Sequence, residues 1–557
     1  MDPVLFCVSI FDLKAIRHFI GKSVAESPPL FVLFFICQKN ATGCVLFVSD
    51  GVEFLKHVVS YDLGTGGLKA GLYQLDGTSI GFEFIPYQTY FPQKDWHEQH
   101  PQDWWQAVCL ATKALLTKSG ISSSDVVAVA ASGHSLVAAP ISPFGDLLME
   151  SIPIWSDRRA KEEAAEFFKK VDYEKWYMTT GNGDPPETYS VFKLMWLKKH
   201  HPEIFRRTRT VLGSKDYINF KLTGEIATDF SYASGSGVFD LLHWCYKDAY
   251  IEIAGLPRSM FIEPKESHDV VGYVTAVAAE ACGLCEGTRV LCGGVDNACM
   301  ALGTTGLGNG RVYTSLGSSA WIAVSADKPI LDVKKLPFVF AHVEKGFYTT
   351  GVSIFAAGSA YRWAKETLCA DLLTDGFEKL NALAAESPLG ANGVMFNPSL
   401  AGGSSQEPSE ALEGAFFGLK LSNSRADILR AVLEGVALSL GTCCLSVIEP
   451  MVESDEAMII CGGGAKSDLW MQIFADVYNR RVVIINVDQD AASLGAAAIA
   501  LRGAGIWQDY APLDGLYQVQ KTFVPIPKNH ANYALIAKRF TRWITALAAI
   551  HDGVDEA

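Results

Sequence analysis

The sequence's N-terminal apolar run, Pro29 to Cys37, lacks the length to cross a bilayer as a helix, falling far short of the ~20 residues such a span needs. Acidic Asp2, Asp12 and Glu26 precede it and no small-residue cleavage site clearly follows, which argues against a secretory signal and leaves the cytoplasm as the expected compartment. A basic cluster is also missing. With 47 Lys+Arg against 61 Asp+Glu and a net charge of −14, nothing tracks a phosphate backbone, so neither nucleic acid nor a membrane is an expected partner. The thirteen cysteines are scattered, and Cys282 and Cys285 have no second pair to complete a zinc site. They read as reduced, mostly buried thiols. Methionine is absent between Met1 and Met149, while Val52 opens a stretch that would serve as a protein start if a valine codon initiated. Residues 1 to 51 are therefore expected to be a misassigned or dispensable extension, and 1–56 to precede the compact fold.

What remains is an ordinary globular balance, 49% hydrophobic and 19% charged over 557 residues, enough for two substantial cores. His57 to Tyr61 reads as a β-branched strand running into the turn Asp62-Leu-Gly-Thr-Gly-Gly67. Leu68 to Gln74 and Ser79 to Phe84 flank Asp76-Gly77, the signal of a type I′ hairpin. An amphipathic Trp-rich stretch, Asp103 to Lys118, and an apolar strand, Val126 to Ala131, follow. This alternation predicts an α/β fold.

A related strand and turn recurs at Arg311 to Trp321, where Leu316-Gly-Ser-Ser319 echoes Leu63-Gly-Thr-Gly66, so the chain reads as internally duplicated. A third turn, Cys461-Gly-Gly-Gly-Ala-Lys-Ser-Asp468, follows the strand Ala457 to Ile460 and opens a helical segment, Leu469 to Asn479. Glycines leave no Cβ in the way, so backbone N–H groups can converge on phosphate oxygens, and a helix N-terminus adds to the effect. None of the three turns carries the dinucleotide G-x-G-x-x-G or the G-x-x-x-x-G-K-[ST] loop, and a single glycine turn is most often only a tight connection. Their combination and order carry the information.

Asp62-Leu-Gly-Thr65, Gly294-Val-Asp-Asn297, Leu316-Gly-Ser-Ser319 and Gly462-Gly-Gly-Ala-Lys-Ser467 occur in the order found in the FGGY family of carbohydrate kinases, which the chain resembles from about residue 57 to about 505. Glu98 to Trp105, Pro153 to Arg158, Lys215 to Asn219, Leu222 to Gly224 and Thr228 to Gly235 extend the resemblance. Within the family it looks most like the xylulose kinases and their close relatives. The resemblance implies two actin-like, ribonuclease-H-like α/β ATPase domains, 57–304 and 305–505, around an interdomain cleft, with a helical tail over 506–557 that includes Asn532 to Ile550. It also implies ATP and Mg²⁺, a small sugar as acceptor, and a homodimer among the assemblies open to the chain.

On that resemblance Asp296 is the expected base. An alcohol is a poor nucleophile at neutral pH, and a carboxylate accepting its proton during attack contributes about 10²–10⁴-fold. Asp296 can equally cap the helix Ala298 to Gly303, and the two roles are compatible. Asp62 is expected to orient Mg²⁺ through water, with Asp296 nearby, since Mg²⁺ keeps several waters and takes one or two carboxylates. Thr65, Gly66 and Lys69 are expected near the phosphates, although Lys69 also reads as an exposed strand lysine. Gly317, Ser318, Gly463, Gly464 and Asp468 correspond to nucleotide-side positions. On the sugar side stand Trp155, which also reads as plain core, Asp157 and Asn297. The relatives' Gly-Gln-Met-His-Gly falls by register on Gly133-His-Ser-Leu-Val137, so Ser135 and Leu136 replace a Met-His pair. His134 either substitutes from a shifted position or is an ordinary histidine near the surface. The expected reaction is phosphorylation of a ketopentose such as D-xylulose, with ribulose, erythritol or glycerol as alternatives. A non-catalytic nucleotide- and sugar-binding regulator of the same fold is the competing class, and the Gly-Asp-Gln of glycerol kinases is absent.

Overall fold

The computed structural model describes two short strands before residue 56, and residues 56–554 apart from 184, 373, 375, 454, 488 and 489. The two strands, β1 (Phe35–Asn40) and β2 (Gly43–Val48), pair antiparallel with Asn40 opposite Gly43, within a unit spanning Met1–Lys56. The reading of residues 1 to 51 as an extension, and most of the run Pro29 to Cys37, lie outside the described residues.

The second unit, His57–Ala557, is built on two seven-stranded sheets. The first contains β3 (His57–Gly64), β4 (Gly67–Gln74), β5 (Ser79–Pro86), β6 (Val126–Gly133), β7 (Val270–Tyr273), β8 (Arg289–Leu291) and β9 (Gly294–Val295). Its order is β7-β8-β6-β3-β4-β5, and β9 continues beside β6. Strands β3, β8 and β9 all run parallel to β6, with Asp62 and Gly294 both level with Ser132. Parallel strands aligned in this way deliver their C-terminal turns to one edge of the sheet. Helix α1 (Pro101–Ser119) packs its buried stripe, from Trp104 to Leu116, on that sheet and stops at Gly120, whose positive φ of 70° closes the helix.

The hairpin joining β4 and β5 differs from the expected type I′ turn. Gly77 alone takes a positive φ, 91°, and Gln74 N–H bonds Thr78 O across a three-residue loop. Asp76 Oδ1 accepts from Thr78 N–H at 2.8 Å, which favours the longer loop.

Three helices on the first half matter for the site: α2 (Ser190–His200), α3 (Ser214–Thr223) and α4 (Phe230–Ser234). Directly after β9 comes α5 (Asp296–Thr305), so Asp296 sits at the first helical position. The second sheet contains β10 (Arg311–Leu316), β11 (Ala320–Ala326), β12 (Phe338–Ala341), β13 (Tyr348–Ile354), β14 (Met458–Cys461), β15 (Val482–Ile485) and β16 (Val519–Phe523), in the order β12-β13-β11-β10-β14-β15-β16. Its β10 and β14 are parallel neighbours, Ser315 level with Cys461, so the second and third glycine turns leave adjacent strand ends.

Around this sheet pack α6 (Gly358–Leu368), α7 (Arg425–Ser439) and α8 (Asp468–Tyr478). The helical run Arg425–Met451, which α7 opens, is the one among the described residues that is long and apolar enough to cross a membrane, and it is mostly buried in this core. The next helix, α9 (Ala491–Gly503), returns to the first sheet: Ser493 Oγ lies 2.7 Å from Ser60 Oγ and 2.9 Å from Tyr73 OH. Residues beyond 505, expected as a helical tail, do more. β16 completes the second sheet, and α10 (Pro527–Val554) buries Tyr533, Phe540 and Ile544 in the second core. No disulfide joins the described cysteines, most of which are buried.

Candidate active site

The first sheet's parallel strand ends form one wall of the candidate site. Asp62 closes β3, Ser132 closes β6, and Asp296 follows β9; Ser132 Oγ donates to Asp62 Oδ1 at 3.1 Å. These groups border a cavity of about 470 Å³ lined by Asp62, Gly64, Ser135, Trp155, Asp296 and Asn297 from the first half. Ser315, Gly317, Ser319, Ala320 and Trp321 face them from the second half, and Met300, Ala491 and Ala492 complete the lining. A volume of this size suits a small polar ligand and part of a second one.

Two carboxylates in one cleft disturb each other. Burial is the main cause that pushes the Asp296 pKa up to about 7; the Asp62 charge adds to it, and backbone N–H groups of Asn297 and Ser135 oppose it. The Asn297 N–H reaches Asp296 Oδ1 at 2.8 Å. Burial also raises Asp62, against the pull of Ser132 and Lys69. A carboxyl group raised to about 7 can exchange a proton near neutral pH, which is what a general base requires. A pair of carboxylates held above their ordinary range also fits a divalent cation that keeps most of its waters. Among the described residues, no group of three acidic, His or Cys side chains forms an all-protein metal cage.

The first glycine turn is fixed from behind. Tyr87 OH donates to Gly64 O at 2.7 Å, and Gln99 Nε2 donates to Thr65 O at 2.8 Å while Trp104 Nε1 holds Gln99 Oε1 at 2.9 Å. The turn's carbonyls are therefore occupied, and a Cβ at Gly66 would meet nothing within 4 Å. The second turn is fixed by α6, whose Gly358 N–H bonds Gly317 O at 2.9 Å and whose Ser359 N–H bonds Ser318 O at 3.0 Å. In the third, Gly462 takes φ +96° and a Cβ at Gly464 would lie 2.5 Å from the Leu316 side chain, whereas Gly463 is open. Glycine at 462 and 464 lets this turn close on the end of β10. Thr65, Gly66, Ser318 and Gly463 are exposed turn residues and Gly464 is half-buried; none of the five belongs to the cavity lining.

Several expected site residues have other partners. Lys69 is paired with Asp490 at 2.8 Å. Asp468 is exposed and paired with Lys521 at 2.7 Å, with Ser467 capping the same helix, so it serves the helix terminus rather than the cavity. Asp157, expected as a sugar acceptor, is fully buried and saturated: Oδ1 accepts from Arg159 N and Nε, Oδ2 from Arg159 Nη2 at 2.8 Å and His97 N at 2.7 Å. It has no lone pair to spare for a sugar. Leu136 is also turned inward, buried against Gly235 and a cluster that includes Phe340, with a left-handed φ of 63°. His134 is buried beside Trp104 with neither ring nitrogen in hydrogen-bond geometry, and burial lowers its pKa to about 4; it is a neutral ring behind the wall. Trp155 is not core. It is 45% exposed and donates from Nε1 to Thr65 Oγ1 at 3.1 Å.

Sequence reasoning missed Trp321, Met300, Ser315, Ser319, Ala491 and Ala492. Ser315 and Ser319 border a recognised turn and Trp321 ends the quoted repeat, so a signal for those three existed; the alanines carry none. It also missed Lys193 on α2, whose buried Nζ donates to Leu136 O at 2.9 Å and Ile154 O at 2.6 Å. One buried amino group, its pKa lowered by burial to about 7, thereby ties the segment carrying Ser135 to the segment carrying Trp155.

The sequence profile of the N-terminal domain of the FGGY family of carbohydrate kinases matches residues 57–303, and that of its C-terminal domain matches 312–504. The chain belongs to the FGGY family of carbohydrate kinases. It is an ATP-dependent carbohydrate kinase with the two-domain fold of that family. Xylulose kinase of Bacillus subtilis (strain 168) is 31% identical over 454 residues, covering 81% of this chain and 89% of that protein. Gluconokinase of Bacillus licheniformis is 27% identical over 456 residues, covering 81% and 88%. Among solved structures, xylulose kinase from Rhodospirillum rubrum superimposes with a TM-score of 0.81 at 29% identity, covering 89% of this chain and all of that one.

The kinase's Lys193 gives a test of the sugar side. Lys193→Met removes two buried hydrogen bonds and lets the Ser135 and Trp155 segments drift apart. The expected result is a KM for sugar raised about tenfold, equivalent to ~1.4 kcal/mol, with KM for ATP within about twofold. An equal rise in both constants, or in neither, contradicts this reading.

Proposed function

We propose that this kinase phosphorylates a ketopentose, D-xylulose first among them, with Asp296 as general base and Asp62 orienting Mg²⁺ through water. The observation that carries the proposal is the placement of Asp296 on a cavity wall with its pKa near 7. Its carboxylate accepts the proton of the attacking hydroxyl as the new bond to the γ-phosphorus forms and the bond to ADP breaks. Backbone N–H groups of the glycine turns, together with the cation that Asp62 would hold, would offset the charge of the transferred group. Asn297, whose Oδ1 is buried without a partner, supplies a sugar hydroxyl acceptor. Mg²⁺, when bound as part of MgATP, neutralises phosphate charge that the two carboxylates would otherwise repel.

The names of the relatives support a xylulose-type acceptor, and the charge of the cavity lining favours it over gluconate. An aldonate carries a carboxylate, yet the only charged side chains among the described lining residues are Asp62 and Asp296. A neutral ketose avoids that repulsion. The test is coupled ADP release across D-xylulose, L-xylulose, D- and L-ribulose, erythritol, glycerol and gluconate. D-xylulose is expected to have the largest kcat/KM and gluconate to fall at least about a hundredfold below it, the consequence of ~3 kcal/mol of charge repulsion. Preference for gluconate or glycerol overturns the assignment.

A further inference from the structure

We propose that Asp229 and Ser231, braced by Lys215, are positioning residues for phosphoryl transfer: they fix the backbone of residues 292–295 and so set where the Asp296 carboxylate stands. This rests on Asp296 being the base. Lys215, Asp229 and Ser231 come from α3 and α4 or the residue before it, and all are fully buried. Their bonds converge on one segment. Ser231 Oγ donates to Asp229 Oδ2 and accepts the Val295 N–H at 2.9 Å, one residue before Asp296. Gly293 N–H bonds Ser267 O at 2.9 Å, and Ser267 Oγ in turn donates to Asp229 Oδ2 at 2.8 Å. Cys292 O accepts from Asn219 Nδ2 at 2.8 Å and from Lys215 Nζ at 3.2 Å; Lys215 also lies 2.9 Å from Asp229 Oδ1 and 2.6 Å from Asp216 Oδ1.

The segment is closely confined. A Cβ at Gly293, where φ is +75°, would lie 2.1 Å from Ala131 O, and one at Gly294 would lie 2.6 Å from the Val343 side chain. It is threaded tightly beside β6, and the buried network decides its height along that strand. Stability alone is a weak reason for such a network, because a buried Lys with two Asp is expensive to desolvate and apolar residues of similar volume often do as well. Positioning is a stronger one. A displacement of about 1 Å at a reacting group costs on the order of 10²-fold in rate.

Ser231→Ala leaves the Val295 N–H buried without an acceptor, freeing the first turn of α5. Turnover is measured per ATP-binding site, with Ser231→Thr as the conservative control and Asp296→Asn alongside. The expected result is kcat lowered about 10–100-fold, both KM values within about twofold, and most of the loss recovered in Ser231→Thr. If Ser231→Ala does not accumulate folded, Asp229→Asn, which keeps the shape, is measured with the same expectation. Unchanged kcat per binding site, or a loss in which both KM values rise in step, overturns the positioning role. An active Asp296→Asn overturns the base assignment instead, so the two failures are distinguishable.

Discussion

Replacing Asp296 by asparagine lowers kcat by about 10²–10⁴-fold, the contribution of a positioned general base, and leaves ATP binding intact. The amide keeps the shape of the carboxylate and its bond from the Asn297 N–H, but it cannot take the sugar proton. The same substitution stabilises the ligand-free protein. Burial holds the folded pKa of Asp296 near 7, while the unfolded chain has the ordinary value of about 4. The folded state therefore binds this proton more tightly, and stability declines as pH rises from about 4 to about 7, then levels. Asp296→Asn removes that penalty. Because solvent enters the cleft, the gain is on the order of 1 kcal/mol at pH 8, and the two melting curves converge near pH 4. In the wild type, kcat/KM falls on the acid side of about pH 7 as Asp296 becomes protonated. Calorimetry at pH 4 and pH 8, with a single-turnover assay, checks all three expectations. A variant that melts lower than the wild type at pH 8 would show that the carboxylate is structurally required there.

The largest stability effect is expected at the crossing of α5 and α9. A Cβ at Gly303 would lie 1.8 Å from Ala491 O, and one at Gly495 would lie 2.0 Å from Cys299 O. Both obstacles are backbone atoms, so no side-chain rotation relieves the clash. Gly303→Val or Gly495→Val must push the helices apart, costing about 3 kcal/mol or more, and most of the protein is expected in the insoluble fraction. Gly303→Ala should fold in part with reduced turnover, because α5 begins at Asp296 while α9 supplies Ala491 and Ala492 to the cavity. Soluble yield, urea unfolding and kcat of the soluble fraction measure the effect. A wild-type midpoint for Gly495→Val would contradict the close crossing.

The strands and turns that carry the chemistry were legible because their signals are local. Asp62 before a glycine turn, Asp296 before a helix, and the paired turns at 316 and 462 are each written in a few consecutive residues, and parallel strand pairing brings them together. Errors arose where a residue's partner is remote in sequence. Arg159 stands two residues from Asp157, but nothing local announces that His97, 60 residues earlier, also bonds Oδ2, and nothing near Asp468 announces Lys521, 53 residues on. Leu136 was read as substrate-facing from register with relatives, but a left-handed backbone turns it into the core. Amphipathic periodicity announces the helix over Asn532 to Ile550 but cannot show that β16 pairs with β15. Ala491 and Ala492 line the cavity only because α9 crosses back to the first sheet, which no composition signal reveals.

Sugar-dependent phosphoryl transfer with Asp296 as base is tested most directly by following ADP and sugar phosphate together, with MgATP, in the presence and absence of D-xylulose. The wild type is predicted to form the two products one for one, to release ADP only slowly without sugar, and to lose both products in Asp296→Asn. ADP release at the same rate with and without sugar, or sugar phosphate formed by Asp296→Asn at a rate close to the wild type's, would contradict it.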